Sequence, residues 1–232
     1  MIDIVTINLN NREGLERTVE SVTSQTFFDK INYIIIDGGS TDGSKEVIES
    51  VKNHLFFSCS EEDKGIFNAF NKGIDHLSGD YVLFLNSGDY LLDNKVIERV
   101  YDKLDADIVY GNEVFYKHNN AMVSYTKNNI VITDKCKYPD ELNEDFFKRS
   151  ALPHQSTFVR VDLHKKYKYD ENCIICGDWK FLRECIMERG ATYKHIEDFI
   201  SCYNIEGLSA KNFKTFLDEK DKYYKKLLTN ER

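Results

Sequence analysis

Strand-like and helix-like apolar patterns alternate through the first hundred residues of the chain. Four short, nearly continuous apolar runs predict strands at residues 4–7, 33–36, 55–57 and 81–85. Between and after these runs, apolar side chains recur every three or four positions, which predicts helices around residues 15–22, 47–51, 66–74 and 96–104. Strands that alternate with helices form βαβ units, so we expect a mostly parallel sheet with helices on both faces.

The pattern changes after residue 106. Residues 108–110 and 114–116 predict two short strands with no helix between them, which favours a mixed sheet in this half. The polar stretch 127–149 predicts a long loop. A strand near residues 157–159, a helix at 178–189 and a last helix after residue 209 complete the prediction.

The length of 232 residues suits one α/β domain with a full hydrophobic core. We expect this domain to span residues 1–210, with one half at 1–105 and the other at 106–210, followed by a C-terminal helix at 211–232. The content of 41% hydrophobic and 30% charged residues argues against a disordered chain.

The formal net charge of −8 disfavours nucleic acid as a partner, because binding to a phosphate backbone draws on clustered Lys and Arg. An acidic protein that binds an anionic ligand needs a local cation, and a divalent metal ion supplies one.

The first ten residues alternate apolar and polar side chains and do not resemble a signal peptide, and no run approaches the roughly 18 apolar residues of a membrane span. We therefore expect a cytoplasmic protein whose six cysteines are reduced. The pair Cys173 and Cys176 has metal-like spacing, but a single pair is weak evidence for zinc.

Polar side chains follow each of the four strands predicted in the first half. They are Asn8, Asn10 and Asn11 after the first strand, Asp37 to Gly43 after the second, Glu61 to Gly65 after the third, and Asn86 to Asp89 after the fourth. Ligands of open α/β sheets bind beyond the carboxyl ends of the strands, so we expect a site at this edge. At any one of these ends, the same residues are equally well explained as helix caps.

Several of these motifs, taken in order, resemble the donor-binding half of the family 2 glycosyltransferases, which have the GT-A fold. The motifs are Ile34 to Gly43, Asp63 to Ile66, Asn71 to Gly73, Gly79 to Tyr81, and Asn86 to Asp89. His154-Gln155 and Gly177-Asp178-Trp179 are similar to the acceptor-side half. The branch that looks most similar contains the bacterial enzymes that build capsule, exopolysaccharide and O-antigen chains.

The resemblance implies a Rossmann-like nucleotide-binding sheet of the GT-A type, with the donor half at 1–105 and the acceptor half at 106–210. It implies inverting transfer of a sugar from a nucleotide-diphosphate donor, by default a UDP-sugar, to a hydroxyl of a saccharide or lipid-linked saccharide in cell-surface polysaccharide synthesis.

The resemblance also implies roles for individual residues. Thr6 and Asp37 hold the nucleobase and ribose, Asp63 and Lys64 lie near the base and diphosphate, and Asn10, Asn71 and Asn86 complete the donor site. His154 and Gln155 belong to the acceptor side. Three plainer explanations remain open: Asp37 forms a turn, Asp63 and Lys64 are a solvated pair, and His154 is structural.

The metal motif of the family is reduced to one carboxylate here. In Asn86-Ser87-Gly88-Asp89, only Asp89 is acidic, so we expect Asp89 to bind Mn²⁺ or Mg²⁺ together with donor diphosphate and water oxygens. The alternative is that Asp89 caps a helix or forms a turn.

Asp178 is the predicted general base, since the family places its acidic base at the start of this helix and an acceptor hydroxyl must lose a proton. The alternative is that Asp178 is the N-cap of the helix.

Three other classes of protein were weighed. A sugar nucleotidyltransferase carries a glycine-rich phosphate loop after its first strand, whereas residues 8–12 here are Asn-Leu-Asn-Asn-Arg. A dinucleotide dehydrogenase has G-x-G-x-x-G at that place. The third class, an inactive nucleotide-sugar-binding protein, is favoured by the reduced metal motif, and Asp89 together with Asp178 argues against it.

The C-terminal segment 211–232 has seven Lys and Arg against four Asp and Glu, a formal charge of +3, with apolar side chains on one helical face. This helix either packs on its own domain or on a partner subunit, as in a homo-oligomer, or lies on the anionic inner face of the cell membrane near a lipid-linked acceptor.

Overall fold

One mixed sheet runs through the protein, whose structure is a computed structural model that describes residues 1–118 and 130–230. Within these residues, the sheet has nine strands in the order β3-β2-β1-β4-β8-β6-β9-β5, and β7 pairs with β6. The strands are β1 Ile2–Asn8, β2 Ile31–Asp37, β3 Phe57–Ser60, β4 Tyr81–Phe84, β5 Tyr90–Leu91, β6 Ile108–His118, β7 Ile130–Cys136, β8 Thr157–Arg160 and β9 Tyr193–Asn204.

Helices cover both faces of the sheet. They are α1 Arg12–Thr23, α2 Ser44–Ser50, α3 Ile66–Asp75, α4 Val96–Val100, α5 Glu144–Arg149, α6 Val161–Lys166, α7 Gly177–Met187, α8 Leu208–Lys211 and α9 Phe213–Asn230. None of the helices in the described residues is long and apolar enough to cross a membrane.

In the parallel half, side chains of the strands pack into two hydrophobic cores, one on each face of the sheet. Val5 and Ile7 of β1 pack towards α3 and α7, whereas Ile2 and Ile4 pack towards α1, α2 and α4. Strands β3, β2, β1 and β4 are parallel neighbours, so their carboxyl ends lie at one edge. There Asn8 is paired in register with Asp37, and Asp37 with Ser60. The predicted α/β fold with a mostly parallel sheet is confirmed.

The mixed half differs from prediction in several places, one of which is the unpredicted helix α6, Val161–Lys166. Residues 108–118 form one long strand, because the polar Asn112 and Glu113 that interrupt the apolar pattern are buried. The predicted loop at 127–149 is wrong over its described part, which contains β7 and α5; residues 127–129 lie outside the described residues. The twelve-residue strand β9 was not predicted, because charged and polar side chains hide its alternation.

The two halves share this one sheet. Strand β8 is antiparallel to β4 on one side and to β6 on the other, so residues from 106 onward continue the sheet begun by residues 1–105. Strand β9 runs parallel to β6 and carries the chain back to the edge where β1 and β2 end.

Helix α9 packs on the domain. Tyr223 and Tyr224 contact the Trp179 ring edge-on, with centroid distances of 5.4 and 5.7 Å. Other side chains of α9 remain exposed, among them Phe213 and Leu217. The amphipathic helix predicted for this segment therefore covers α7 with one part of its apolar face.

Candidate active site

A cavity of about 950 Å³ lies beyond the carboxyl ends of the parallel strands. It is lined by residues within 7–11, 38–39, 62–66, 86–89 and 203–211, together with Ala69 and His154. Five of the residues predicted from sequence line it: Asn10, Asp63, Asn86, Asp89 and His154. The topology of the sheet brings them together from positions up to 144 residues apart.

Asp37 lies beneath this cavity and is fully buried. Its carboxylate accepts hydrogen bonds from Asn8 Nδ2, from the amide and hydroxyl of Ser40, and from the Ser60 hydroxyl. Burial raises the pKa of Asp37, but these bonds lower it by more, so the carboxyl stays ionised. The side chain does not line the cavity; it fixes the turn that follows β2, where Gly39 has a φ of +82°.

Thr6 and Asn71, both predicted to contact the donor, lie outside the cavity lining. Thr6 is fully buried, and its hydroxyl hydrogen-bonds that of Tyr33 at 3.1 Å. Asn71 donates to the backbone carbonyl of Tyr169 and to Glu171, which ties α3 to the segment before α7.

Asp63 lines the cavity, but its neighbour Lys64 does not. The carboxylate of Asp63 forms its ion pair with Lys72 Nζ at 2.7 Å, and Lys72 also reaches Glu61 at 2.9 Å. The motif Asn71-Lys72-Gly73 therefore supplies the cation for this loop, eight residues after the predicted Lys64.

Asn10 lies in the loop that follows β1 and connects it to the loop that follows β2. Its φ of 47° is in the left-handed region, which asparagine tolerates better than most residues. Its amide donates to Ser40 Oγ at 2.7 Å, and its side-chain oxygen accepts from the Thr41 amide at 2.9 Å. The loops after β1 and β2 are thus joined at the cavity wall.

Asp89 is a buried carboxylate at the cavity edge, with 6% of its surface exposed. Oδ1 accepts from the Asn204 amide at 2.8 Å, and no Lys or Arg pairs with Asp89 among the described residues. Burial raises its pKa to about 6. A buried carboxylate without a cationic partner at a cavity edge fits a bound divalent metal.

Few other side chains that could bind a metal ion lie near the Asp89 carboxylate. The described part of the chain contains no group of three or more His, Cys, Asp or Glu arranged to hold an ion. The Oδ1 atom of Asn86, three residues earlier, is buried and has no hydrogen-bond partner within the described residues. Hard oxygen atoms of this kind suit Mn²⁺ and Mg²⁺, with the remaining positions left to ligand and water.

His154 stands between Asn86 and Asp178. Its Nδ1 lies 2.9 Å from Asp178 Oδ2, and its Nε2 lies 3.1 Å from Asn86 Nδ2. Burial lowers the pKa of His154, but the hydrogen bond to Asp178 and the charges of Asp178, Asp89 and Glu113 raise it by more, so the net shift is upward.

Asp178 is the second residue of α7 and reaches the cavity edge through His154. The helix begins at Gly177, where a Cβ atom would lie only 2.7 Å from the Phe67 ring. Glycine therefore lets the start of α7 approach α3 closely and sets the place of Asp178. The N-cap residue of α7 is Cys176 and not Asp178, which lies in the first turn and accepts from the Trp179 amide through Oδ1.

Gln155 points away from the cavity into a buried network in the mixed half. Its Nε2 donates to Glu113 Oε2, and the Tyr138 hydroxyl donates to Glu113 Oε1. Burial raises the pKa of Glu113 to about 7. Sequence reasoning missed Glu113 because it lies inside a strand, away from any strand end.

The C-terminal rim of the cavity was also missed. Residues 203–204 end β9 and the other residues of this rim follow it; Lys211 is the only Lys or Arg among the described residues that line the cavity. The sequence gives only a weak signal that residues 203–211 reach the cavity. To predict it, β9 must be recognised as a strand and its parallel pairing with β6 must be known.

Comparison with known proteins identifies the family of the chain. The model of glycosyl transferase family 2 matches residues 3–168. An uncharacterized glycosyltransferase of Mycobacterium tuberculosis is 28% identical over 184 residues, which cover 78% of this chain and 67% of that protein. A PGL/p-HBAD biosynthesis glycosyltransferase of Mycobacterium bovis is 24% identical over 212 residues, covering 88% of this chain and 77% of that protein.

Two solved structures share the fold. Staphylococcus aureus TarS, residues 1–349 in complex with UDP-GlcNAc, superposes with a TM-score of 0.66 at 16% identity, covering 88% of this chain. A mannosyltransferase of Pyrobaculum calidifontis in complex with GDP-Man and Mn²⁺ gives a TM-score of 0.63 at 12% identity, covering 87%. The chain spans 58% and 56% of these two structures. At these identities the likeness establishes the GT-A fold.

Proposed function

The chain belongs to glycosyl transferase family 2, and we propose that it moves a sugar from a nucleoside-diphosphate donor to an acceptor hydroxyl with inversion at the anomeric carbon. One observation carries the proposal. A single cavity brings the buried carboxylate of Asp89 and the polar strand ends together with a His154–Asp178 pair at its edge.

The donor is proposed to lie along the carboxyl ends of β1, β2, β3 and β4. Asn10, Asp63 and Asn86 face the cavity and offer amide and carboxylate groups to the base, ribose and sugar. Asp37 then contributes indirectly, by holding the loop after β2. UDP is the proposed carrier, supported by the TarS complex with UDP-GlcNAc, while the GDP-Man complex of the mannosyltransferase makes GDP the first alternative to test.

Asp89 is proposed to hold the divalent metal, Mn²⁺ or Mg²⁺, because its carboxylate is buried and is not neutralised by Lys or Arg in the described chain. When bound, the metal supplies positive charge that stabilises the departing nucleoside diphosphate. Lys211, on the C-terminal rim of the cavity, adds a second positive charge near the donor.

Asp178 is proposed to take the proton of the acceptor hydroxyl. As the acceptor oxygen forms its bond to the anomeric carbon, the bond from that carbon to the diphosphate oxygen breaks, and the bonding pair leaves with the nucleoside diphosphate. Attack from the side opposite the leaving group inverts the anomeric configuration, so no sugar becomes attached to the protein.

The acceptor is proposed to be a saccharide or lipid-linked saccharide of bacterial cell-surface polysaccharide. A lipid-linked acceptor implies contact with a membrane surface, and the exposed apolar residues of α9 are the proposed contact. Phe213, Leu217 and Leu228 are 60, 47 and 66% exposed, and the segment that leads into α9 lines the cavity.

The experiment is a donor screen. The protein is incubated with Mn²⁺ and a panel of UDP-, GDP- and dTDP-sugars, and free nucleoside diphosphate is measured with and without a saccharide acceptor. We expect one donor to be hydrolysed slowly alone and faster with acceptor. Tight donor binding without any release of nucleoside diphosphate would instead identify an inactive nucleotide-sugar-binding protein.

A further inference from the structure

We propose that His154 is a positioning residue for the transfer: it holds the Asp178 carboxylate in one orientation and ties it to Asn86 at the donor end of the cavity. The inference rests on the proposed function, in which Asp178 takes the acceptor proton.

The contacts of Asp178 fix both carboxylate oxygens. A carboxylate only accepts hydrogen bonds, so the Nδ1 atom of His154 carries the proton in the 2.9 Å contact with Oδ2. The other oxygen, Oδ1, accepts from the backbone amide of Trp179 at 2.7 Å. Neither group is free to move into solvent, since the His154 side chain is 13% exposed and that of Asp178 is 21% exposed.

The second ring nitrogen of His154 faces the donor half. With the proton on Nδ1, the neutral ring accepts at Nε2, which is 3.1 Å from the Nδ2 donor of Asn86. Asn86 follows β4 and lies three residues before Asp89. The imidazole therefore bridges the start of α7 and the end of β4.

The plane of the ring is set by packing. Phe70 of α3 meets it edge-on, with ring centroids 6.0 Å apart. Two hydrogen bonds and one aromatic contact thus define the ring from three elements, and the ring in turn defines Asp178. His154 and Asn86 line the cavity, and the Asp178 side chain, which His154 contacts, keeps 21% of its surface exposed.

This arrangement predicts an effect on turnover more than on donor affinity. A base that is misplaced by about 1 Å slows an oriented reaction by on the order of 10²-fold. If His154 instead contacts the donor directly through Nε2, its loss weakens donor binding. The two roles use different nitrogens of the ring, so they can be separated by one substitution that keeps only the donor position and one that keeps only the acceptor position.

The experiment compares three variants. In His154→Asn the side-chain amide nitrogen replaces Nδ1 as donor, in His154→Gln the side-chain amide oxygen replaces Nε2 as acceptor, and His154→Leu supplies neither. We expect His154→Asn to keep turnover within about tenfold of wild type, and the other two to lose on the order of 10²-fold in kcat, with the KM of the donor little changed. Turnover of His154→Gln equal to or above that of His154→Asn overturns the inference, as does a raised donor KM at wild-type kcat.

Asp178→Asn separates this inference from the proposed function. If Asp178→Asn turns over like wild type, the proposed base is wrong. If Asp178→Asn is inactive while all three His154 variants turn over like wild type, only the role of His154 is wrong.

Should the His154 variants fail to fold, NMR of the ¹⁵N-labelled wild-type protein tests the same arrangement. We expect His154 to show a protonated Nδ1 and an unprotonated Nε2, with the Nδ1 signal shifted in Asp178→Asn. The opposite tautomer overturns the inference.

Discussion

The Glu219 carboxylate in α9 accepts a hydrogen bond from the backbone amide of Cys176, the residue immediately before α7, at 3.0 Å. The same carboxylate accepts from the amides of Ile174 and Ile175 at 2.7 and 2.9 Å. Three consecutive amides at the start of a helix form a strong site for a negative charge. Helix α9 therefore stabilises the turn immediately before α7, the helix that carries Asp178.

We expect Glu219→Gln to destabilise the protein by about 1–3 kcal/mol, because a neutral amide replaces the charge held by three backbone donors. The midpoint of thermal unfolding falls accordingly by several degrees, at roughly 2–4 °C per kcal/mol. The neighbouring Asp218→Asn is the matched control, since that side chain is exposed. Equal unfolding midpoints for the two variants would show that the three amide bonds contribute nothing.

Asp178→Asn tests the proposed base. The variant keeps the size of the side chain but cannot accept the proton, so we expect kcat to fall on the order of 10²-fold or more. Donor affinity measured by calorimetry should match wild type. Loss of donor binding would indicate that Asp178 is structural, and an anomeric configuration retained in the product, determined by NMR, would exclude single displacement.

Asp89→Asn tests the metal site. An amide retains the acceptor for the Asn204 backbone but lacks the charge that attracts Mn²⁺ or Mg²⁺, so we expect a folded protein with little turnover at any Mn²⁺ concentration. The control is Asp102→Asn, at an exposed position. Wild-type turnover with unchanged dependence on Mn²⁺ in Asp89→Asn contradicts the assignment.

His164 predicts part of the pH dependence of stability. Its ring stacks on Phe181 at 4.2 Å, and neither ring nitrogen has a hydrogen-bond partner in the described part of the chain. Burial lowers the pKa of His164 to about 3. Above pH 6.5 the ring is neutral in both the folded and unfolded states, and below it only the unfolded state gains the proton, so stability falls as pH decreases towards 3.

The measurement is urea unfolding of wild type and His164→Phe between pH 7 and 4. We expect the stability difference to shift in favour of the variant by up to about 1.4 kcal/mol per pH unit below pH 6. A difference that stays constant across this range would mean that His164 is protonated in the folded protein.

The exposed residues of α9 predict membrane binding. We expect the wild type to float with vesicles containing phosphatidylglycerol, and the double variant Phe213→Glu/Leu217→Glu to remain at the bottom of the gradient. Phe56→Glu is the control, because Phe56 is 55% exposed and precedes β3, at the opposite end of the strand from the cavity. Equal flotation of the double variant and wild type removes the proposed contact.

Local patterns in the sequence were sufficient for the parallel half of the fold except for β3, which was predicted at residues 55–57 and lies at Phe57–Ser60. Apolar runs that alternate with helix-spaced segments specify βαβ units, and parallel strands necessarily end at one edge of the sheet. Asn10, Asn86 and Asp89 were therefore expected together, and they share one cavity. This inference needs only periodicity and strand direction, both of which are properties of short stretches of chain.

Side-chain partners were decided only by the tertiary structure. Asp63 pairs with Lys72 on the next helix and not with adjacent Lys64, and Gln155 turns to Glu113, 42 residues away. The chain also reaches the cavity a second time after β9, whose polar sequence hides its position in the sheet. His154 meets Asp178 across 24 residues, at a distance set by the packing of α7 on α3 at Gly177. Such contacts depend on how the helices and strands pack across the core. The number of residues between two side chains in the sequence does not determine the distance between them in the fold.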